Sequence, residues 1–214
     1  MAEFKLINEL LLEVSNTNET LYAKRGSMIA CHGDIHYRRS FLTGNGIQEF
    51  LARDITNEEH DVMACEGTGT SLYGFNRQYV KIIPLNGDTL YVESDQLLAF
   101  EANIQVRPYF LGNKGPVRGV LKGAATGQGL FTTSLRGKGS VAIVSKGPCI
   151  CFDISQERCV NVDPDAYIGH SGSLDCEFVV DVNWKTFVGQ SSGESYQLRF
   201  SGQGKVYVQA SERK

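Results

Sequence analysis

The sequence predicts an all-β fold, of the sandwich or barrel type, built by internal duplication. Short runs of Val, Ile, Leu, Phe and Tyr alternate with turns, and 23 glycines punctuate the 214 residues. A Gly-x-Gly step also recurs at similar intervals between strand-like runs, at residues 67–69, 137–139 and 202–204. Repetition of this kind indicates architecture before it indicates chemistry.

The first segment of the chain is compatible with two structures. Residues 3–14 place apolar side chains at helical spacing, whereas Leu6, Leu10 and Leu12 also fit an alternating strand. Further along the chain, residues 47–59 alone have a pattern that a helix could adopt, and their glycine start and polar close allow a short element at most. We therefore expect an all-β chain that contains short helical segments at most.

Strand signals dominate from residue 20 onward. The clearest strand-like runs are residues 27–31, 79–83, 89–92, 141–144, 177–182 and 205–209. The Asn-Gly-Asp sequence at residues 86–88 is typical of a tight hairpin turn, because Asn and Gly tolerate positive φ angles. Since no Pro- or Ser-rich linker divides the chain, we expect one domain over 1–214, with approximate repeats at 20–110 and 125–214.

Charge and cysteine content narrow the class of protein. The chain has 21 basic and 24 acidic residues, so there is no basic excess of the kind that nucleic-acid binding requires. The longest early apolar run, residues 10–12, is too short to span a bilayer, and no secretory signal is recognised; peripheral membrane association stays open. Six cysteines in a chain of this length favour free thiols and a cytoplasmic location.

The sharpest metal-like signal is the sequence His32-Gly-Asp34-Ile-His36. On a strand, residues at i, i+2 and i+4 share a face, so two imidazoles and a carboxylate would project together. These ligand types suit zinc or another divalent ion. The alternative is that they form the polar surface of a strand whose other face packs into the core.

Other candidate sites are weaker, and the sequence predicts no cofactor. The Gly-x-Gly steps do not continue into a dinucleotide or phosphate-loop motif, and strands follow them instead of helices. Cys149 and Cys151 are spaced more closely than the usual metal or redox pair, so we interpret them as packing residues. His60 and His170 lie in polar, loop-like surroundings without a nucleophile motif beside them, which gives no catalytic mechanism.

RNA binding is a further alternative. Single-stranded nucleic acid is bound by aromatic side chains beside a basic groove. Arg38-Arg39, the segment 107–110 and the Arg199-Phe200 pair supply such residues, but they are scattered along the chain. We therefore retain RNA or small-ligand binding as an alternative function only.

Several motifs carry a family resemblance. Residues 99–101 read Ala-Phe-Glu, residues 129–131 read Gly-Leu-Phe, and residues 137–141 read Gly-Lys-Gly-Ser-Val. Together with the closing segment 193–209 and the opening segment 24–28, they make the chain resemble the altered-inheritance-of-mitochondria family. The resemblance spans roughly residues 20–210 and is most specific after residue 90.

The resemblance implies a fold of the tryptophan-RNA-binding attenuator (TRAP-like) superfamily, a double-stranded β-helix or pair of packed antiparallel sheets. Bacterial members of the family resemble cytosolic proteins of unassigned activity, and fungal relatives act in mitochondrial inner-membrane organisation. The family offers no catalytic residues to carry over. We therefore predict a non-enzymatic, homo-oligomeric scaffold or binding module, with a metal-dependent binder or enzyme that uses His32, Asp34 and His36 as the alternative.

Overall fold

The structure is a computed structural model that describes residues 2–39, 62–111, 131–179 and 197–211. The described residues form twelve strands and one turn of 3-10 helix at Ser94–Gln96. The strands are β1 (Glu3–Asn8), β2 (Leu11–Lys24), β3 (Met28–Arg39), β4 (Val62–Tyr73), β5 (Tyr79–Glu93), β6 (Leu97–Glu101), β7 (Gln105–Phe110), β8 (Phe131–Ser145), β9 (Cys149–Ile154), β10 (Val160–Val162), β11 (Tyr167–Val179) and β12 (Gln197–Gln209). The predicted all-β fold is thus confirmed.

Hydrogen bonding joins these strands into one antiparallel sheet. Its order is β10-β12-β11-β5-β8-β6-β2-β4-β3, while β1 pairs with β2, β7 with β8 and β9 with β12. Within the described part of the chain, β3 and β10 are therefore the two terminal strands of this path. The sheet is built largely from strands that are distant in sequence, such as β5 beside β11 and β2 beside β6.

The ambiguous first segment forms a hairpin of two strands, not a helix. β1 pairs with the start of β2, and Leu6 lies opposite Leu12. Leu12 in turn lies opposite Tyr73 of β4, and both of these side chains are fully buried. Packing against β4 therefore decides between the two periods that the sequence allows. The other possible helix, residues 47–59, lies outside the described residues.

The Gly-x-Gly steps lie inside long strands, one each in β4, β8 and β12. Gly33 of β3 lies opposite Gly69 of β4, and Gly172 of β11 lies opposite Gly204 of β12 in the same way. A Cβ on Gly33 would lie 2.7 Å from the Thr68 carbonyl oxygen, and the φ of +98° is itself unfavourable for other residues. These glycines permit two backbones to approach closely at strand centres.

Three hydrophobic clusters fill the interior. The first lies around Leu12, Leu21 and Tyr73 near the N-terminal strands, the second around β5 and β8, and the third around Tyr167 and Phe200. Each cluster draws on strands that carry one of the Gly-x-Gly steps. The finer predictions, a double-stranded β-helix and two repeats at 20–110 and 125–214 in a single domain, stay predictions.

No helix among the described residues has the length and the apolar character that crossing a membrane requires.

Candidate functional site

The predicted metal ligands lie on β3, at the end of the sheet. His32, Asp34 and His36 face Thr70, Thr68 and Glu66 of β4, respectively. In a regular strand this even spacing would put all three on one face, but Gly33, with φ of +98°, lies between His32 and Asp34. Asp34 Oδ1 lies 3.0 Å from His36 Nε2, and the two side chains are 84% and 77% exposed. The structure thus brings two of the three predicted ligands into contact at the surface.

A metal centre requires more than this contact. Among the residues that the structure describes, no group of three or more His, Cys, Asp or Glu side chains could hold a metal ion. The Asp34–His36 contact is also highly exposed, and exposed ion pairs contribute little stabilisation. The metal site at His32, Asp34 and His36 therefore stays a prediction.

Beside these residues, basic and acidic side chains of neighbouring strands pair with each other. A terminal guanidinium nitrogen of Arg38 donates to the Glu66 carboxylate, and the Thr20 hydroxyl donates to the same oxygen at 3.2 Å. Because Glu66 lies opposite His36 across the two strands, a carboxylate balances the basic end of β3. This pairing reduces the positive potential that a polyanion would need here.

His170 is a buried residue whose surroundings the sequence did not reveal. We expected a polar loop around it, but it lies within β11, opposite Tyr91 of β5 and Val206 of β12. Its Nδ1 is 2.7 Å from the Tyr167 hydroxyl oxygen, and its ring stacks on Tyr91 with 4.6 Å between centroids. The expectation of a loop was wrong because the neighbouring small residues serve close strand packing, not a turn.

Burial sets the protonation state of this imidazole. Only 4% of His170 is exposed, and desolvation lowers its pKa to about 4. The ring is consequently neutral near pH 7, and it packs between Tyr91 and Phe200, with 5.4 Å between the His170 and Phe200 centroids. A general base has to reach a proton of its substrate, whereas this ring is enclosed by the core. We assign it to packing and to its hydrogen bond.

The cysteines do not form a reactive pair. Burial raises the pKa of Cys149 to about 11 and also raises that of Cys151, although Lys81 and Lys205 act in the opposite direction. A thiol with a raised pKa is a poor nucleophile at neutral pH. All six cysteines of the chain are free. Cys149 is half-buried and packs against the core, whereas Cys151 is exposed, so the interpretation as a packing residue was wrong for Cys151.

The aromatic residues predicted for RNA binding are largely core residues. Phe200 is fully buried and stacks on Tyr167 with 5.5 Å between centroids, so it cannot serve as a base platform. Tyr109 packs against Tyr91 with 4.5 Å between centroids. RNA or small-ligand binding stays a prediction without a structural observation in its favour.

The most distinctive surface is the outer edge of β3. In the described part of the molecule, β3 pairs with β4 alone, and every side chain from Met28 to Asp34 is exposed. Met28 and Ile29 are 39% and 60% exposed, although both are large and apolar. An edge strand of this kind presents backbone hydrogen-bonding groups together with a hydrophobic surface.

Comparisons with known proteins agree with this fold. A crystal structure of a protein from Streptococcus pyogenes superposes with a TM-score of 0.71 at 17% sequence identity, over 99% of this chain and 94% of the other. A search of curated proteins found no match. At this level of identity the structural likeness shows the fold alone. The model of the family described as mitochondrial biogenesis AIM24 matches residues 4–211, and the chain therefore belongs to that family.

Proposed function

We propose that the protein is a non-enzymatic β scaffold or binding module that assembles with itself, and that it acts in the cytoplasm. The observation that carries the proposal is the exposed edge of β3, with Met28 and Ile29 on its surface. Natural proteins usually blunt such edges with charges, bulges or covering segments. The β3 edge has a register irregularity and exposed charges of this kind, but its residues Met28 and Ile29 leave an apolar surface. A second copy of the chain would cover both the backbone groups and the apolar side chains.

Several further observations support a role without catalysis. His170 is enclosed by the core, burial raises the pKa values of Cys149 and Cys151, and Arg38 of β3 pairs with Glu66 of β4. The cytoplasmic part of the proposal rests on the six free cysteines, because a reducing compartment keeps thiols in that state.

Light scattering after size exclusion tests the assembly. We expect a mass above that of the 23.6 kDa chain at micromolar concentration. The substitution Ile29→Lys should shift the mass toward the monomer, because it places a charge in the proposed contact. Ile7→Lys is the matched control, since Ile7 is 49% exposed on β1, three strands away from β3. A strictly monomeric wild-type protein would contradict the proposal.

A metal-dependent binder that uses His32, Asp34 and His36 is the second candidate. The 3.0 Å contact between Asp34 and His36 favours it, because both already face the same side of β3. Metal analysis of protein purified without chelators tests this function, with His32→Ala as the control. Stoichiometric metal that is lost in the variant supports the site, whereas metal-free wild-type protein argues against it.

A further inference from the structure

The chain makes the same strand junction twice. In the first junction, residues 21–23 of β2 pair with residues 99–101 of β6, and in the second, residues 90–92 of β5 pair with residues 169–171 of β11. Both junctions are antiparallel, and both place aromatic rings in contact at the central pair. Tyr22 and Phe100 have centroids 5.3 Å apart, and Tyr91 and His170 have centroids 4.6 Å apart.

The Gly-x-Gly steps show which strand would supply a third such junction. Leu21 of β2 lies opposite Cys65, and Leu90 of β5 lies opposite Leu135; each partner precedes the first glycine of its step by two residues. Val160 of β10 lies opposite Phe200, which stands in the same position before Gly202. Residues 160–162 are therefore the structural equivalents of 21–23 and 90–92.

The positions at which two glycines lie opposite each other likewise show which strand would pair with residues 160–162. Gly33 lies opposite Gly69 as Gly172 lies opposite Gly204. Residues 30–32 of β3 precede Gly33 as residues 169–171 of β11 precede Gly172. Residues 30–32 are therefore equivalent to the segment of β11 that β5 covers.

This third junction is not made within the described part of the chain. There, β10 pairs with β12 alone and β3 pairs with β4 alone. The two strands that would form the third junction therefore stand at opposite ends of the strand order. Burial differs accordingly. Tyr167 and Ile168 of β11 are fully buried, whereas Met28 and Ile29 at the equivalent positions of β3 are 39% and 60% exposed.

We propose that β10 of one copy pairs with β3 of a second copy, in the antiparallel register that the two internal junctions use. This register places Val160 opposite His32, Asn161 opposite Cys31, and Val162 opposite Ala30. The proposal deepens the self-assembly function above and rests on it. It gives the assembly a head-to-tail contact, because each copy uses two different edges.

A head-to-tail contact has a consequence for the form of the assembly. Copies related in this way close into a ring when the rotation between them allows it, and otherwise they extend into a filament. A symmetric dimer that uses one patch twice is not expected, because β3 and β10 are different surfaces.

The predicted register can be tested with a disulfide. Cys31 is an exposed free thiol, and Asn161 is an exposed residue of β10. The Cα atoms of residues directly opposite each other on antiparallel strands lie about 4.5–5.5 Å apart, which is within the Cα–Cα range that a disulfide spans. Asn161→Cys should therefore cross-link to Cys31 of another copy under mild oxidation. The variant would be made with Cys151→Ser and Cys159→Ser, because those two thiols are also exposed.

We expect dimers and higher covalent multimers on a non-reducing gel, and mass spectrometry should identify the disulfide-linked peptide that joins Cys31 to position 161. Adding Cys31→Ser should abolish these species. Asp153→Cys in the same background is the positional control, because Asp153 is exposed on the adjacent strand β9 and is not opposite Cys31. Circular dichroism confirms that the variants are folded.

The outcomes separate this proposal from the proposed function. A monomeric wild-type protein in light scattering overturns both. An oligomeric protein whose Asn161→Cys variant forms no Cys31 cross-link, or cross-links no better than Asp153→Cys, overturns the β3–β10 interface and leaves self-assembly standing. A disulfide between Cys31 and position 161 of the same chain also overturns the interface.

Discussion

The hydroxyl oxygen of Tyr167 lies 2.7 Å from Nδ1 of His170, and both residues are in the core. In a regular strand, residues at i and i+3 point to opposite faces. An irregularity in the β11–β12 register between Tyr167 and Gly169 brings the two side chains to the same side. The bulge therefore creates a buried polar pair in a region that is otherwise apolar.

His170 makes the stability of the protein dependent on pH. Burial lowers its pKa to about 4 in the folded state, against an ordinary value of 6.5 in the unfolded chain. Between these two pH values the unfolded state binds more protons, so the free energy of unfolding falls as the pH falls from 6.5 to 4. The loss attributable to this group is on the order of 3 kcal/mol. Denaturant unfolding at a series of pH values measures it.

The matched variants are His170→Asn and Tyr167→Phe. The first removes the titrating group and should flatten the dependence between pH 4 and 6.5. The second removes the hydrogen bond but keeps the buried imidazole, so the dependence should persist at a lower overall stability. An unchanged slope in His170→Asn would show that other groups cause the pH dependence.

Gly204 is predicted to be intolerant of a side chain for steric reasons. A Cβ at this position would overlap the Ser171 carbonyl oxygen and press on Leu174. Gly204→Ala should therefore lower the free energy of unfolding by on the order of 3 kcal/mol, since a backbone atom cannot move aside cheaply. Chemical denaturation gives the difference directly.

Gly87→Ala is the control for that prediction. Gly87 has φ of +100° at the register irregularity inside β5, and no atom lies within 4 Å of the position that a Cβ would occupy. Its substitution should cost only the backbone strain, about 1 kcal/mol. Equal losses in the two variants would mean that close approach of the strands does not matter at Gly204.

Local sequence patterns predicted the fold class but not the order of the strands. Alternation and turn residues are local signals, and they were sufficient for the all-β class. They were wrong at residues 86–88, where the Asn-Gly sequence forms a register irregularity inside the continuous strand β5, not a hairpin turn. The junctions of β2 with β6 and of β5 with β11 join distant segments of the chain, and their pairing depends on the surfaces that meet. The spacing of the Gly-x-Gly steps marks equivalent positions in the repeated units, but only the register of the strands shows which segments pair.

The candidate site shows the same limit. The even spacing of His32, Asp34 and His36 predicted a shared face on a strand, and the structure shows a contact between Asp34 and His36 on β3. The enclosure of His170 was not predictable from its small neighbours, since Gly and Ser are typical of both turns and closely packed strands. The bulge at residue 168 further hides the Tyr167–His170 pair from a period-of-two pattern.

Tyr37 and Ser71 are predicted to be energetically coupled. The Tyr37 hydroxyl lies 2.8 Å from Ser71 Oγ and 3.5 Å from the Tyr73 hydroxyl, and Ser71 is buried. Tyr37→Phe and Ser71→Ala should each cost about 1 kcal/mol, whereas the double variant should cost less than their sum because both lose the same hydrogen bond. A double-mutant cycle by denaturation measures the coupling, and strict additivity would show that the contact is energetically silent.

Thiol labelling should report the β3 edge in solution. Cys31 is exposed on β3, Cys151 is exposed on β9, and Cys65 is fully buried. At low protein concentration, iodoacetamide should modify Cys31 and leave Cys65 unmodified until the protein unfolds. As the concentration rises through the range in which the protein assembles, the rate at Cys31 should fall, because a second copy covers its strand, while the rate at Cys151 serves as the reference. Mass spectrometry of quenched samples gives both rates, and a ratio that does not change with concentration would contradict coverage of β3.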